Sequence, residues 1–456
     1  MAEDTIAAIA TPLGEGGLAV IRVSGSRALA ITDACFVPRG RSAPQLSQAA
    51  SHTVHFGRIL RDAEVVDEVL VTVLRAPRTY TREDTIEVSC HGGLLPAKLV
   101  LDTLLAHGAR LAHPGEFTKR AFLNGRLDLT QAEAVADVIH ARTELALTAA
   151  QEQLAGKLSR RVNQLRDDLL HILAHVEAHI DFPDEDIAPD TRAALHDRLA
   201  RGQAFLDQLL HSADEGQLLR RGLRAAIVGR PNAGKSSLLN QLLGRDRAIV
   251  SPIPGTTRDT IEETANIRGL PVVFVDTAGW RTAQDEIEQE GVRRARESAA
   301  RAELVLLVVD NGEPLSPAET AALAEFAARK RIVVRNKSDR PPRLELPAGT
   351  AGPVVAISCL TGAGIETLKD AIKELVWAGE IRAEMLEVMI NARHQAALRR
   401  AREAAARAQA ALDADLTLEL VAVDLRAAVN AVGEIVGQTA TEDLLDTIFS
   451  QFCIGK

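Results

Sequence analysis

Residues 222–240 read GLRAAIVGRPNAGKSSLLN. An apolar run, Arg224–Val228, enters Gly229-x-x-x-x-Gly234-Lys235-Ser236, and a helix-forming run follows. A strand feeding a glycine-rich turn that feeds a helix commits this stretch of the chain to a parallel α/β sheet. The glycines let backbone N–H groups curl round phosphates, and the helix N-terminus adds its positive dipole. Lys235 is placed to reach β- and γ-phosphates, and the Ser236 hydroxyl to bind Mg²⁺. A plain glycine-rich turn is the rival reading, and the strand–helix context weighs against it.

Three further motifs follow in order. VVFVDTAG puts Asp276 at a strand end, where it binds Mg²⁺ through water while the Gly279 N–H faces the γ-phosphate; Thr277 and Ala278 lie between them. IVVRNKSD sets Asn336, Lys337 and Asp339 after another apolar strand. The Asp339 carboxylate accepts from both the ring N–H and the exocyclic amine of guanine, a donor pair adenine lacks. VVAISCL supplies Ser358, Cys359 and Leu360, whose amides are placed to meet the base carbonyl. Motifs at the carboxyl ends of successive strands converge where an open α/β sheet binds ligands, so this is a GTP-binding domain. Asn232, Ala233, Gly234 and Ser237 complete its phosphate loop. SPIPGTTRD adds Ser251, Pro252, Ile253, Pro254, Gly255, Thr256 and Thr257, the two threonine hydroxyls suiting Mg²⁺ and a second cation. Small GTPases commonly carry a water-orienting glutamine after the DxxG glycine; here that position is Trp280. Another group must position water. Gln284–Glu290 offers Asp285, Glu286, Glu288 and Glu290, although a solvated acidic helix start explains most of them.

The remainder of the 456 residues divides by texture. Short β-like runs (LAVIRVSG, TVHFGRIL, EVLVTVLRA, TIEVSCHGG) and a helical pattern near Leu94–His107 make the opening stretch α+β. A helical stretch from about Thr130 to Ile180, and another over about Thr191–Ala213, precede the α/β segment; Ala- and Arg-rich helix follows it from Ile381. Helical segments on both sides of an α/β unit indicate an insertion. The expected architecture is multidomain α/β: an α+β domain over 1–118, a P-loop GTPase domain over 217–379, and a helical domain split between 119–216 and 380–456. A net charge of −9 excludes a uniformly basic nucleic-acid coat, and 3% aromatic residues argue against a base-stacking platform. Four scattered cysteines exclude a disulfide scaffold, and no apolar run approaches the roughly 20 residues of a membrane span. With no signal-peptide pattern at the start, a cytoplasmic protein is expected.

GRPNAGKSS, GTTRD, DTAG and NKSD in a helical context, after TPxGxGGxxxxRxSG and before FCIGK, closely resemble the MnmE (TrmE) family of tRNA modification GTPases. PGEFTKRAFLNGRLDLTQAEA and FCIGK are distinctive, and the likeness spans essentially the whole chain. It implies a GTPase that uses K⁺ in place of an arginine finger, with Asn232, Ser251, Ile253 and Thr256 as ligands. Pro252 and Pro254 stiffen that loop. Thr257 would join Ser236 at Mg²⁺, and Glu288 would be the water-positioning carboxylate, with Lys235 and the switch residue Arg281 in support. The first domain would bind a tetrahydrofolate derivative (formyl or methylene) and dimerise the protein. Its ligand positions fall on Arg22, Glu87, Arg126 and Lys456; a glutamate suits the pterin's donors and arginines its glutamyl carboxylates. The implied reaction adds an aminomethyl or carboxymethylaminomethyl group to C5 of the wobble uridine of certain tRNAs. The flavoprotein MnmG would supply flavin and NADH in a heterotetramer, with GTP hydrolysis opening and closing the paired GTPase domains.

Two rivals fit less well. A GTP-switched RNA-binding factor in ribosome assembly would need a terminal RNA-binding module, and no suitable GxxG clamp is present. A self-contained folate-dependent methyltransferase would need its own redox cofactor, and there is no dinucleotide fingerprint. His171, His175 and His179 read as a polar helical stripe rather than zinc ligands. Asp181–Asp186 reads as a hinge. Arg393, Arg399, Arg400, Arg402 and Arg407 read as an ion-paired face ahead of a phosphate track. Cys453 is either a reactive thiol near the folate or a small packing residue.

Overall fold

The computed structural model describes residues 4–40, 44–181, 192–244, 263–275, 302–377, 390–414 and 416–456, with only the helical backbone at 192–193 and 212–217. Two compact units emerge. One comprises Met1–Ala136, Val162–Arg166 and Asn430–Lys456; the other comprises Asp137–Arg161 and Asp167–Val429.

The first unit is built on a seven-stranded sheet of order β3-β4-β5-β6-β2-β1-β7. Its strands are β1 Ile6–Ile9, β2 Leu18–Ser24, β3 Phe36–Pro38, β4 Thr53–Arg61, β5 Glu64–Leu74, β6 Thr85–His91 and β7 Arg110–Leu111. Alternation sends Ile21, Val23, Val71, Val73, Ile86 and Val88 to one face, where they share a core with Leu29 and Ile31 of α1 (Ala28–Asp33) and Val100 and Leu104 of α2 (Leu94–Ala106). Each fully buried side chain of this size contributes roughly 1.5–3 kcal/mol. Along β2 the opposite parity exposes or half-exposes Leu18, Val20 and Arg22. α3 (Glu116–Leu123) and the start of α4 (Leu129–His140) pack with α13 (Glu442–Phe449) through Leu129, Ala132, Leu445, Ile448 and Phe449. Asp128 Oδ1 caps α4, accepting from Gln131 N at 3.0 Å and from Thr130 Oγ1 at 2.7 Å.

The second unit holds a six-stranded sheet of order β13-β12-β11-β8-β10-β9. These are β8 Leu223–Val228, β9 Glu263–Ile267, β10 Leu270–Phe274, β11 Leu304–Asp310, β12 Arg331–Asn336 and β13 Val354–Ala356. All pair in parallel except β9 with β10. β11 is buried at every position, as a strand covered on both faces must be. One face carries α8 (Lys235–Leu243) and α10 (Ile365–Val376); the other carries Phe326 and Leu323 of α9 (Pro317–Glu325) and its C-cap. Ser316 opens α9 with a capping box shared with Glu319. Helices α5 (Glu144–Leu154), α6 (Lys157–Asp181), α7 (Arg192–Arg221), α11 (Ala392–Asp413) and α12 (Leu418–Val436) supply the helical domain. α7 enters the sheet domain, α11 leaves it, and the two pack on each other, so the α/β domain is an insertion in a helical one. α7 runs past the expected end near Ala213 to Arg221; Gly216 is carried inside it and Gly222, at φ +76°, terminates it.

Candidate functional site

The phosphate loop leaves β8 at the carboxyl edge of the sheet, where the strand order turns back on itself. Gly229 has φ +156°, and a Cβ there would stand 2.3 Å from Val308 O of the neighbouring strand. Asn232 takes φ +60°, a conformation that asparagine tolerates better than most residues, and Gly234 takes φ +97°. Lys235 Nζ, half-buried, donates to Gly229 O and Arg230 O at 2.8 Å each. Burial pushes its ammonium below the usual lysine range, so an incoming phosphate gains a poorly solvated cation. Ser236 and Ser237 stand in the first turn of α8, Ser236 exposed at its outer edge.

The base-reading side closes on this loop. Asn336, at the end of β12, donates from Nδ2 to Ala233 O at 2.8 Å and accepts at Oδ1 from Cys359 N at 3.2 Å. It is therefore a clasp between two loops. Ser358 Oγ donates to Asp339 Oδ1 at 2.6 Å, and this hydrogen bond first of all holds the carboxyl below the usual aspartate range. The hydrogen bond also fixes the direction of the carboxylate, which is ionised at neutral pH as an ordinary aspartate is. Lys337, at φ +63°, sends its ammonium 2.6 Å to Asp310 Oδ2. Asn232, Gly234, Lys235, Ser236, Ser237, Asn336, Lys337, Asp339, Cys359 and Leu360 line one cavity of about 580 Å³ with Arg340. Ala233 is buried beneath the loop, and Ser358 acts on the cavity through Asp339. Arg340 and Gln241, whose Nε2 donates to Cys359 O at 2.9 Å, escaped the sequence reading. Arg340 directly follows the NKSD motif and could have been suspected; Gln241 is an ordinary helix residue with no signal. Ser251, Pro252, Ile253, Pro254, Gly255, Thr256, Thr257, Asp276, Thr277, Ala278, Gly279, Trp280, Arg281 and Glu288 lie outside the described residues, as does most of Asp181–Asp186.

In the first unit a second constellation forms. Arg22 of β2 and Glu87 of β6 are register partners, and Arg22 Nε and Nη2 both reach Glu87 Oε1, at 3.0 and 2.8 Å. The Arg22 guanidinium stands over the rings of Tyr80, 5.6 Å away, and Phe117, 5.7 Å away. Arg126, exposed, stands 4.8 Å over Tyr80 and donates to Tyr80 O at 2.9 Å. Lys456 O accepts from Phe117 N at 3.2 Å, and Cys453 O from Gly115 N at 3.4 Å. Arg22 and Arg126 thus share the Tyr80 ring, Glu87 joins them through Arg22, and Lys456 reaches Phe117 through backbone atoms. The Cys453 side chain is exposed, while Cys35 and Cys90 are buried and pushed up to about 11 by burial.

Among the described residues no group of three His, Cys, Asp or Glu could hold a metal; His175 and His179 meet edge to face at 4.9 Å. Arg402 pairs with Asp207 and Arg407 with Asp424, the ion-paired face expected of α11. No helix among the described residues is long and apolar enough to cross a membrane.

A doubly wound sheet with a glycine-rich loop of the P-loop pattern after β8, and an NKSD motif after β12 lining the same cavity, defines a P-loop GTPase domain. The family model described as GTP-binding protein TrmE N-terminus matches residues 5–126, and that described as MnmE helical domain matches residues 129–453. The tRNA modification GTPase MnmE of Chloroflexus aurantiacus is 51% identical, covering 99% of this chain and 100% of that one. Its counterpart from Geobacillus kaustophilus is 47% identical, covering 99% of each. Among solved structures, the G domain of the T. maritima FeoB iron transporter is 28% identical, covering 34% of this chain and 98% of that one at a TM-score of 0.24. The chain belongs to the MnmE family of tRNA modification GTPases.

Proposed function

We propose that this GTPase works in a two-protein reaction that adds an aminomethyl or carboxymethylaminomethyl group to C5 of a tRNA wobble uridine. A tetrahydrofolate one-carbon unit bound in the first unit would be the carbon source. The observation that supports the reading is the gathering of Arg22 and Arg126 over Tyr80, with Glu87 paired to Arg22 and the Lys456 backbone bonded to Phe117, in a unit that does not contain the nucleotide cavity. The donor set suits such a ligand. Glu87 offers acceptors to pterin N–H groups, and Arg126 has no carboxylate partner among the described residues, which leaves a cation for a glutamyl carboxylate. Bound folate would supply the one-carbon unit; the flavin and NADH that complete the redox balance would come with MnmG.

At the nucleotide, Asp339 fixes the base, Lys235 neutralises the β- and γ-phosphates, and the N-terminus of α8 adds its dipole. Ser236 and Thr257 are proposed for Mg²⁺, and Asn232, Ser251, Ile253 and Thr256 for K⁺. The exposed, left-handed Asn232 stands at the cavity rim, where its side-chain oxygen can be offered to a cation. Glu288 would position water with Arg281 in support. The proposed domains follow 1–118, 119–216, 217–379 and 380–456, in a cytoplasmic protein. A homodimer through the first unit is supported by its outer sheet face, where Phe56 and Leu70 are register partners and both are exposed beside Val54.

Mass spectrometry of nucleosides from bulk tRNA, with and without the gene in its native cell, tests the reading. Loss of the aminomethyl-type wobble uridine with its two-position thiolation intact is expected. Unchanged nucleosides, or product formed in a reconstituted reaction lacking the flavoprotein, would overturn it.

A further inference from the structure

Arg22 and Arg126 come from different elements, β2 and the segment after α3, and both are cations. Nothing in local sequence brings them together, and their charges repel. One side chain answers both. Tyr80 lies in the turn between β5 and β6, and the two guanidinium carbons stand 5.6 and 4.8 Å from its ring centroid. Its carbonyl also accepts from Arg126 Nη1 at 2.9 Å. The turn is anchored against α3 and the residues that follow it. Tyr80 Oη lies 2.9 Å from Thr118 Oγ1, Asn124 Nδ2 donates to Thr81 O at 2.6 Å, and Arg82 Nη1 donates to Asn124 O at 2.9 Å. The phenol end of the ring and the backbone that follows it are thus both tied to α3 and Asn124. Its face carries the negative part of an aromatic quadrupole, which attracts a cation without neutralising it as a carboxylate would. Glu87 pairs with Arg22 through one carboxylate oxygen, and Arg126 has no carboxylate partner among the described residues, so the three side chains together retain net positive charge for a ligand.

We propose that Tyr80 is the positioning residue of this site: its ring is the shared platform that holds Arg22 and Arg126 in place for an anionic pterin-class ligand. The assignment rests on the folate reading above, since the arginines are taken as that ligand's contacts. Tyr80 acts through the arginines and needs no contact with the ligand.

Tyr80 is the chain's single tyrosine, so 3-fluorotyrosine incorporation places one ¹⁹F resonance in the whole protein. In the full-length, ligand-free protein, Arg126→Met should move that resonance by more than its linewidth; an unmoved line means the ring does not carry the cation. Binding of 5-formyltetrahydrofolate is then measured by titration calorimetry for wild type, Tyr80→Phe and Tyr80→Leu, with thermal melts to check folding. The expectation is wild-type binding, retention within about threefold in Tyr80→Phe, and weakening of about tenfold or more in Tyr80→Leu. Tyr80→Leu binding like wild type, or Tyr80→Phe losing as much as Tyr80→Leu, overturns the platform. Absence of wild-type binding instead overturns the folate reading itself. Should Tyr80→Leu fail to fold, the Arg126→Met resonance and the Tyr80→Phe affinity decide.

Discussion

At the scale of single residues, the nucleotide cavity depends on close approaches that only particular side chains permit. A Cβ on Gly234 would sit 2.1 Å from Asn336 Nδ2, at a backbone φ of +97°. Gly234→Ala should break the Asn336 clasp and strain the loop, weakening guanine nucleotide binding by about 2–3 kcal/mol, or roughly 30–150-fold. Titration with a fluorescent GDP analogue measures it; a near-wild-type affinity would show that the clasp is dispensable. That Lys235, Ser236 and Asp339 would line one cavity was legible, because the motifs that carry them have fixed residue types at fixed spacing. The use of Asn336 as a clasp was not legible, because its partners, Ala233 and Cys359, are distant in sequence and are joined through backbone atoms that any residue presents.

Among the elements, the β9–β10 hairpin ties the sheet domain to the helices. Leu270 packs with Ala149 of α5, Leu219 of α7 and Trp377, and Arg142 Nη1 donates to Thr264 Oγ1 at 2.5 Å. Leu270 is 2% exposed, so Leu270→Ala should cost about 2–4 kcal/mol and speed amide exchange in α5 as well as β10. Exchange confined to β10 would mean the hairpin and helix are not one cooperative piece. In the first unit β2, β4, β5, β6 and α2 were readable from apolar runs and helical patterning, while the short β1, β3 and β7 were not. This docking was not, since Leu270 and Ala149 look like any apolar pair until the fold opposes them. A second element-level tie joins the segment before β1 to β7 and α3: Arg110 and Arg120 meet Asp4 and Glu116 at 2.6–3.0 Å. Burial alone would raise both carboxyls, but the hydrogen bond from Arg110, with further help from Arg120, holds each below its ordinary range. A depressed carboxylate stabilises above its unfolded pKa, and that contribution is lost as pH falls through the folded value. Stability of the first unit should therefore decline from about pH 4.3 downward, and Glu116→Gln should flatten the decline in acid denaturation.

For the whole molecule, the first unit is assembled from both ends of the chain. Phe449 and Phe452 pack with Leu129, and Gly455, at φ +96°, lets the terminal segment approach Ile9 O where a Cβ would come within 2.5 Å. The exposed Phe56–Leu70 pair belongs to the same scale, because a second copy would give that face a partner in the proposed homodimer. Phe56→Asp should shift sedimentation toward the monomer without unfolding the protein; an unchanged profile would place self-association elsewhere.

The sequence by itself determined the GTPase class, the family and the insertion of an α/β domain between helical segments. Phosphate binding, guanine reading and strand or helix periodicity are written in short, local patterns set by backbone geometry. What only tertiary structure decided is which distant residues share a surface. Arg22, Tyr80, Glu87, Arg126 and Lys456 span nearly the whole chain, and pairing in β2 and β6, the anchored Tyr80 turn and the returning terminal segment bring them together. Such meetings arise from long-range packing, in which each partner alone is an ordinary arginine, glutamate or aromatic ring.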